Sequence, residues 1–121
     1  MTWPELNRKI AEQIATIKLG GGPKAIDRQH GKGRLTARER IAKLVDEGDV
    51  FLEHGLWSGW DMYQDWGGAP SAGVVCGIAK IKNRSVMIIA NDATIKAGAF
   101  FPMTRTFSVM QILRISCAFE L

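Results

Sequence analysis

Asn91-Asp92 closes an apolar run, Val86-Met87-Ile88-Ile89-Ala90, and Lys96 and Gly98 follow, then Phe100-Phe101-Pro102. A polar pair at a strand end, a cation a few residues on and a glycine that admits close backbone approach suit an anionic ligand. Ligands of open α/β sheets meet the ends of strands. The same residues serve a plain corner. In that reading Asn91 and Asp92 satisfy local turn bonds, Gly98 bends the chain and Lys96 stays solvated. A second basic set, Gly31-Lys32-Gly33-Arg34, lies just ahead of a capped helix. Helix N-termini favour anions through exposed amides and the dipole, so Lys32 and Arg34 are candidate phosphate contacts. The spacing is not that of a Walker loop, and a solvated basic linker explains it as well. Arg38 and Arg40 flank Glu39 and read as surface charges of a helix.

Other residue types with chemical potential point less far. His30 and His54 are distant in sequence and near no Ser or Cys nucleophile motif, so no catalytic residue is assigned. Cys76 and Cys117 form no CxxC or Cys/His spacing, and no metal site is expected. Cys76 sits in Val74-Val75-Cys76-Gly77-Ile78 and reads as a small core residue. Trp57, Trp60, Tyr63 and Trp66 are interleaved with Gly and Asp rather than Lys and Arg. That argues for packing or an interface and against nucleic-acid binding.

The elements that must carry these residues follow from periodicity. Thr2-Trp3-Pro4-Glu5 is a helix start with a capping box. Leu6, Ile10, Ile14 and Ile17 then fall on one helical face until Gly20-Gly21-Gly22. Pro23 opens a short second helix through His30. Thr36-Ala37-Arg38-Glu39 is a second capping box, and its helix is predicted over 37–47 with Ile41, Leu44 and Val45 on one side. Phe51-Leu52 is a short extended piece, and Gly67-Gly68-Ala69-Pro70-Ser71 is loop. From Gly73 the period changes. Gly73–Lys82 and Ser85–Ala90 predict a β-hairpin about an Asn83-Arg84 break. The second strand, apolar on both faces, is expected to lie buried in a sheet.

The 121 residues suffice for one small domain, and 46% hydrophobic with 23% charged content is ordinary globular usage. Sixteen Lys and Arg against twelve Asp and Glu give +4, a mild bias that suits an anionic ligand and solubility equally. No secretory signal opens the chain, and no apolar run nears the ~20 residues needed to span a bilayer. A cytoplasmic protein without membrane contact is expected.

Two long motifs, "GGGPKAIDRQHGKGRLTARERIAKLVDEG" and "GGAPSAGVVCGIAKIKNRSVMIIANDATIKAGAFFPMT", occur in this order. They resemble the opening of the carboxyltransferase (β) subunits of biotin-dependent acyl-CoA carboxylases, the propionyl-CoA and methylcrotonoyl-CoA types. The resemblance runs from about Glu5 to Thr104. It implies an α/β, crotonase-like fold of ββα units, with a helical segment at 1–48 and the start of the carboxyltransferase domain at 49–104. It implies carboxyl transfer from carboxybiotin, borne on a carrier domain, to the α (or vinylogous γ) carbon of an acyl-CoA. The thioester enolate would be held by paired backbone amides. A separate biotin carboxylase would consume ATP, and the subunit would be a homo-oligomer. Lys32, Arg34, Lys96 and Gly98 become candidate CoA contacts. Family subunits are several times longer, and their Asp-Ser-Gly-Gly-type turn lies beyond this chain. Residues 105–121 keep only scattered similarity and read as a divergent tail. A truncated piece without turnover, acting only in packing, is therefore the alternative.

Overall fold

The computed structural model describes residues 1–99, 102 and 103. The Phe100-Phe101 pair and the expected tail at 105–121 lie outside them. Three helices precede a three-stranded antiparallel sheet: α1 (Trp3–Lys18), α2 (Pro23–Gly31), α3 (Ala37–Leu44), β1 (Leu52–His54), β2 (Val74–Ile81) and β3 (Arg84–Asn91), in the order β1-β2-β3.

Both capping boxes form. The Glu5 carboxylate accepts from the Thr2 backbone N–H at 2.7 Å and from the Thr2 hydroxyl at 2.9 Å. At α3 the Thr36 N–H donates to Glu39 at 2.7 Å, and the Glu39 N–H donates back to Thr36 Oγ1 at 3.3 Å. The predicted apolar stripe of α1 finds cover only at its end. Ile17 is buried, Leu6 and Ile14 are half-buried and Ile10 is exposed.

Helix α3 ends earlier than expected, at Leu44 rather than 47, because Val45 is extended. The reason is tertiary. Asp46 is needed at the far end of the hairpin, where its two carboxylate oxygens accept from the Lys82 and Asn83 N–H groups at 2.7 Å each. Asp49 adds a bond from the Lys80 N–H at 2.7 Å. The segment after α3 is thereby pinned to the end of β2, and it delivers the chain into β1.

The hairpin turns one residue earlier than its sequence suggests. Ile81 pairs with Arg84, so the turn is Lys82-Asn83 rather than Asn83-Arg84. Both have positive φ, 49° and 63°. A two-residue hairpin turn matching the right-handed twist of the strands requires this. Leu52 pairs with Ile78 and His54 with Cys76, which extends the hairpin to three strands. Gly77 is what lets β1 lie so close: a Cβ there would overlap the Leu52 carbonyl and the Phe51 ring.

The sheet has two unequal faces. On one, Val75, Ala79 and Ile88 pack under Ala37 and Ile41 of α3, with Phe51, Val45 and Val86 at the margin. Burying each Val or Ile side chain there contributes about 1.5–3 kcal/mol. On the other, Val74 and Cys76 are buried while Leu52, Ile78 and Ile89 are exposed. The expectation of a buried second strand is thus corrected. Among the described residues, strand β2, hydrogen-bonded on both sides, is the buried one, and β3 pairs only with β2 and buries Ile88 alone.

Candidate functional site

Helix α3 presents Ala37, Arg40, Ile41 and Leu44, at helical spacings of three, one and three, toward the C-terminal end of β3. Between them runs a groove of about 520 Å³. Ile41, Leu44 and Ile88 form its apolar side, its cations are Arg34 and Arg40, and Gln29, Asn91 and Ala93 complete the lining named here. Among the described residues, no carboxylate lines it. Two guanidiniums beside an apolar surface suit a ligand with an anionic end and an apolar body, since a guanidinium presents a fork of donors to phosphate oxygens.

Arg34 is brought there by the end of α2. Its N–H donates to the Gln29 carbonyl at 3.0 Å, folding the Lys32–Arg34 link back over the helix. Beside it, His30 Nε2 lies 2.8 Å from Glu39 Oε1. The Glu39 carboxyl is held below its usual range, first by the Thr36 N–H and further by His30. Glu39 is therefore ionised and committed to the helix cap.

The four predicted contacts separate. Arg34 lines the groove. Gly98 backs onto two groove residues: a Cβ there would lie 3.8 Å from Ala93 Cα and 4.0 Å from Asn91 Cβ. Lys32 caps α2 and is exposed, outside the groove lining. Lys96 is also outside it, with its ammonium 4.7 Å from the centre of the Trp66 ring. Arg40 is an exposed charge of α3, as its sequence context suggests, and it also lines the groove. The signal for that second role was present in its helical spacing from Ala37 and Leu44. The sequence reading took Arg38 for a surface charge too. Arg38 instead makes a bidentate ion pair with Glu53 at 2.7 and 2.8 Å. That partner lies fifteen residues away on β1, and only the fold reveals it.

Cys76 is buried, and its surroundings push the thiol up to about 11, through burial first and the Glu53 charge second. A thiol held protonated in this way is no nucleophile. Among the described residues, no group of three or more His, Cys, Asp and Glu could hold a metal ion. No helix among them is long and apolar enough to cross a membrane.

The α/β arrangement superposes on transcarboxylase 12S, solved as a hexamer with methylmalonyl-coenzyme A and methylmalonic acid bound. The TM-score is 0.84 at 30% identity, over 94% of this chain and 23% of that one. The fold is therefore the crotonase-like fold of the carboxyltransferases. This chain belongs to the carboxyl transferase domain family, whose match covers residues 28–117 and so runs past Thr104. It is 42% identical over 97 residues to the mitochondrial methylcrotonoyl-CoA carboxylase beta chain of Dictyostelium discoideum, over 80% of this chain and 16% of that protein. It is 38% identical over 99 residues to the mitochondrial propionyl-CoA carboxylase beta chain of Homo sapiens, over 78% and 18%. The chain thus spans less than a fifth of the length of these two relatives.

Proposed function

We propose that this chain is part of the carboxyltransferase subunit of a biotin-dependent acyl-CoA carboxylase, of the methylcrotonoyl-CoA or propionyl-CoA type. In this reading the subunit moves a carboxyl group from carboxybiotin, on a carrier domain, to the α (or vinylogous γ) carbon of an acyl-CoA. A partner biotin carboxylase uses the ATP, and the subunit works as a homo-oligomer. Its compartment is the cytoplasm, or the mitochondrion named for several relatives. Carboxylation at that carbon requires a thioester enolate, and donors aimed at its oxygen are the main source of rate. No residue here is assigned to that task or to biotin.

The share of this chain is substrate binding. The observation that carries it is the groove, free of carboxylates among the described residues, with Arg34 and Arg40 beside its apolar side, in a chain of this family. The guanidiniums pair with the phosphates of CoA, and Ile41, Leu44 and Ile88 cover its less polar parts. Lys32, on the link that carries Arg34, adds positive potential. Lys96, with its ammonium over the Trp66 ring, adds positive potential as well. Gly98 supports the rim from behind.

Calorimetric titration of CoA into the chain tests this. Binding is expected, weakened about tenfold in each of Arg34→Ala and Arg40→Ala, as loss of one charge-assisted bond requires. Silence at millimolar CoA, or wild-type affinity in both variants, defeats the reading. Silence would favour the second reading, a piece that serves only in packing with other subunits. The exposed apolar row Leu52, Ile78 and Ile89 speaks for that alternative.

A further inference from the structure

We propose that Asp92, Thr94 and Gly21 form a clasp that positions the rim of the groove. Its link to ligand binding rests on the reading of the groove as a CoA site. From the last residue of β3 onward the chain alternates. Asn91 and Ala93 line the groove, whereas Asp92 and Thr94 engage the end of α1. Asp92 is 7% exposed. Its Oδ1 accepts from the Thr94 N–H at 2.9 Å and from the Thr94 hydroxyl at 2.6 Å. The same hydroxyl oxygen accepts from the Gly21 N–H at 3.0 Å, across 73 positions of sequence. The Asp92 backbone is held too: its N–H donates to the Gly73 carbonyl at 2.9 Å, and its carbonyl accepts from the Ile95 N–H at 3.1 Å. A hydroxyl donating to a carboxylate at this length is a strong, charge-assisted bond.

Gly20 and Gly21 are required by this contact, beyond their use as a helix stop. A Cβ on Gly21 would overlap the Thr94 carbonyl, and one on Gly20 would overlap the Asp92 carboxylate and the Thr94 hydroxyl. The last turn of α1, where Ile17 is buried, is thus docked onto the loop that supplies Asn91 and Ala93 to the groove. Gly98 backs onto those same two residues. The clasp therefore connects α1 to the ligand rim without touching the ligand. Asp92 and Thr94 are positioning residues.

Thr94→Val keeps the shape and removes the shared hydroxyl, Thr94→Ser restores it, and Gly21→Ala pushes on the loop from α1. Amide hydrogen exchange on the full chain reads the rim without any ligand. In Thr94→Val and Gly21→Ala, exchange at Ile95 and Gly98 should rise at least about tenfold while the β2–β3 ladder at Ile88 exchanges as in wild type. Thr94→Ser should match wild type. Unchanged exchange at Ile95 and Gly98 overturns the clasp, and so does an equal loss of protection at Ile88, which marks a merely structural role. Titration with CoA separates the two proposals. Weaker binding by Thr94→Val, restored in Thr94→Ser, supports the link to the groove, and wild-type affinity in Thr94→Val overturns it. Altered exchange with no CoA binding by the wild-type chain leaves the clasp standing and removes the CoA reading.

Discussion

Replacing Glu53 by Gln should destabilise this chain severely, although Glu53 touches no proposed ligand. Its carboxylate meets both terminal nitrogens of Arg38 at 2.7 and 2.8 Å, and the two side chains are only 23% (Arg38) and 11% (Glu53) exposed. Arg38 Nε is buried as well and, among the described residues, has no hydrogen-bond partner. With charge centres about 4 Å apart and an effective dielectric of about 20, the attraction is about 4 kcal/mol. Most of this offsets the cost of desolvating both ions. Removing one partner leaves the other buried and uncompensated, at a cost of about 3–5 kcal/mol. At roughly 0.05–0.15 kcal/mol per residue, a chain of this size has about 6–18 kcal/mol in all, so either single change consumes a large fraction. Glu53→Gln and Arg38→Met should each lower the unfolding free energy, read from urea denaturation, by that amount. The double variant Arg38→Met/Glu53→Leu, apolar and of similar volume, should lie within about 1 kcal/mol of wild type, because no charge is left behind. Single variants costing under about 1 kcal/mol, or a double variant equal to their sum, would refute the claim that desolvation governs this pair.

Two further outcomes follow from the same geometry. The unfolded Cys76 thiol ionises near 9.0 and the folded one near about 11, so above pH 9 the unfolded chain releases a proton that the native chain keeps. The stability tied to this group is complete below pH 9 and falls as pH rises toward about 11. Urea midpoints at several pH values should show this decline in wild type and lose that part of it in Cys76→Ala. An identical pH profile in the two proteins would contradict it. At the hairpin, Lys82 holds φ at 49° while its N–H is bonded to Asp46. Lys82→Gly should stabilise by about 0.5–1 kcal/mol, because the left-handed conformation costs a residue with a Cβ about 1–2 kcal/mol and glycine's greater unfolded entropy returns part. A thermal midpoint equal to or below wild type would count against that strain.

Much was legible before the fold was seen, and the parts that were share a cause. The two capping boxes are contacts across three residues, and the triple glycine breaks a helix by its own backbone freedom. The switch from helical spacing to Val- and Ile-rich alternation at Gly73 is likewise local. The two long motifs carried the family. What misled was also local reasoning, applied where a distant group decides. Helix α3 stops at Leu44 because Asp46 is claimed by a turn thirty-six residues away. The aliphatic residues of β3 announced a buried strand, yet burial depends on how many neighbours a strand has, and among the described residues β2 has two and β3 one.

The candidate site divides in the same way. Arg34 and Gly98 were visible as a cation and a pliable residue in basic or loop segments, and Arg40 as an exposed charge of α3. By itself the sequence determined the helix ends, the sheet-forming segment and the family, since each is written in neighbours a few residues apart or in a long motif. Only the tertiary structure decided that Arg38 belongs to Glu53 rather than to solvent. It alone showed that Gly21 is reserved for Thr94 and that Arg34 and Arg40 share one groove. Those assignments depend on which surfaces meet when α3 and the end of α1 pack on the sheet, and no spacing along the chain encodes that distance.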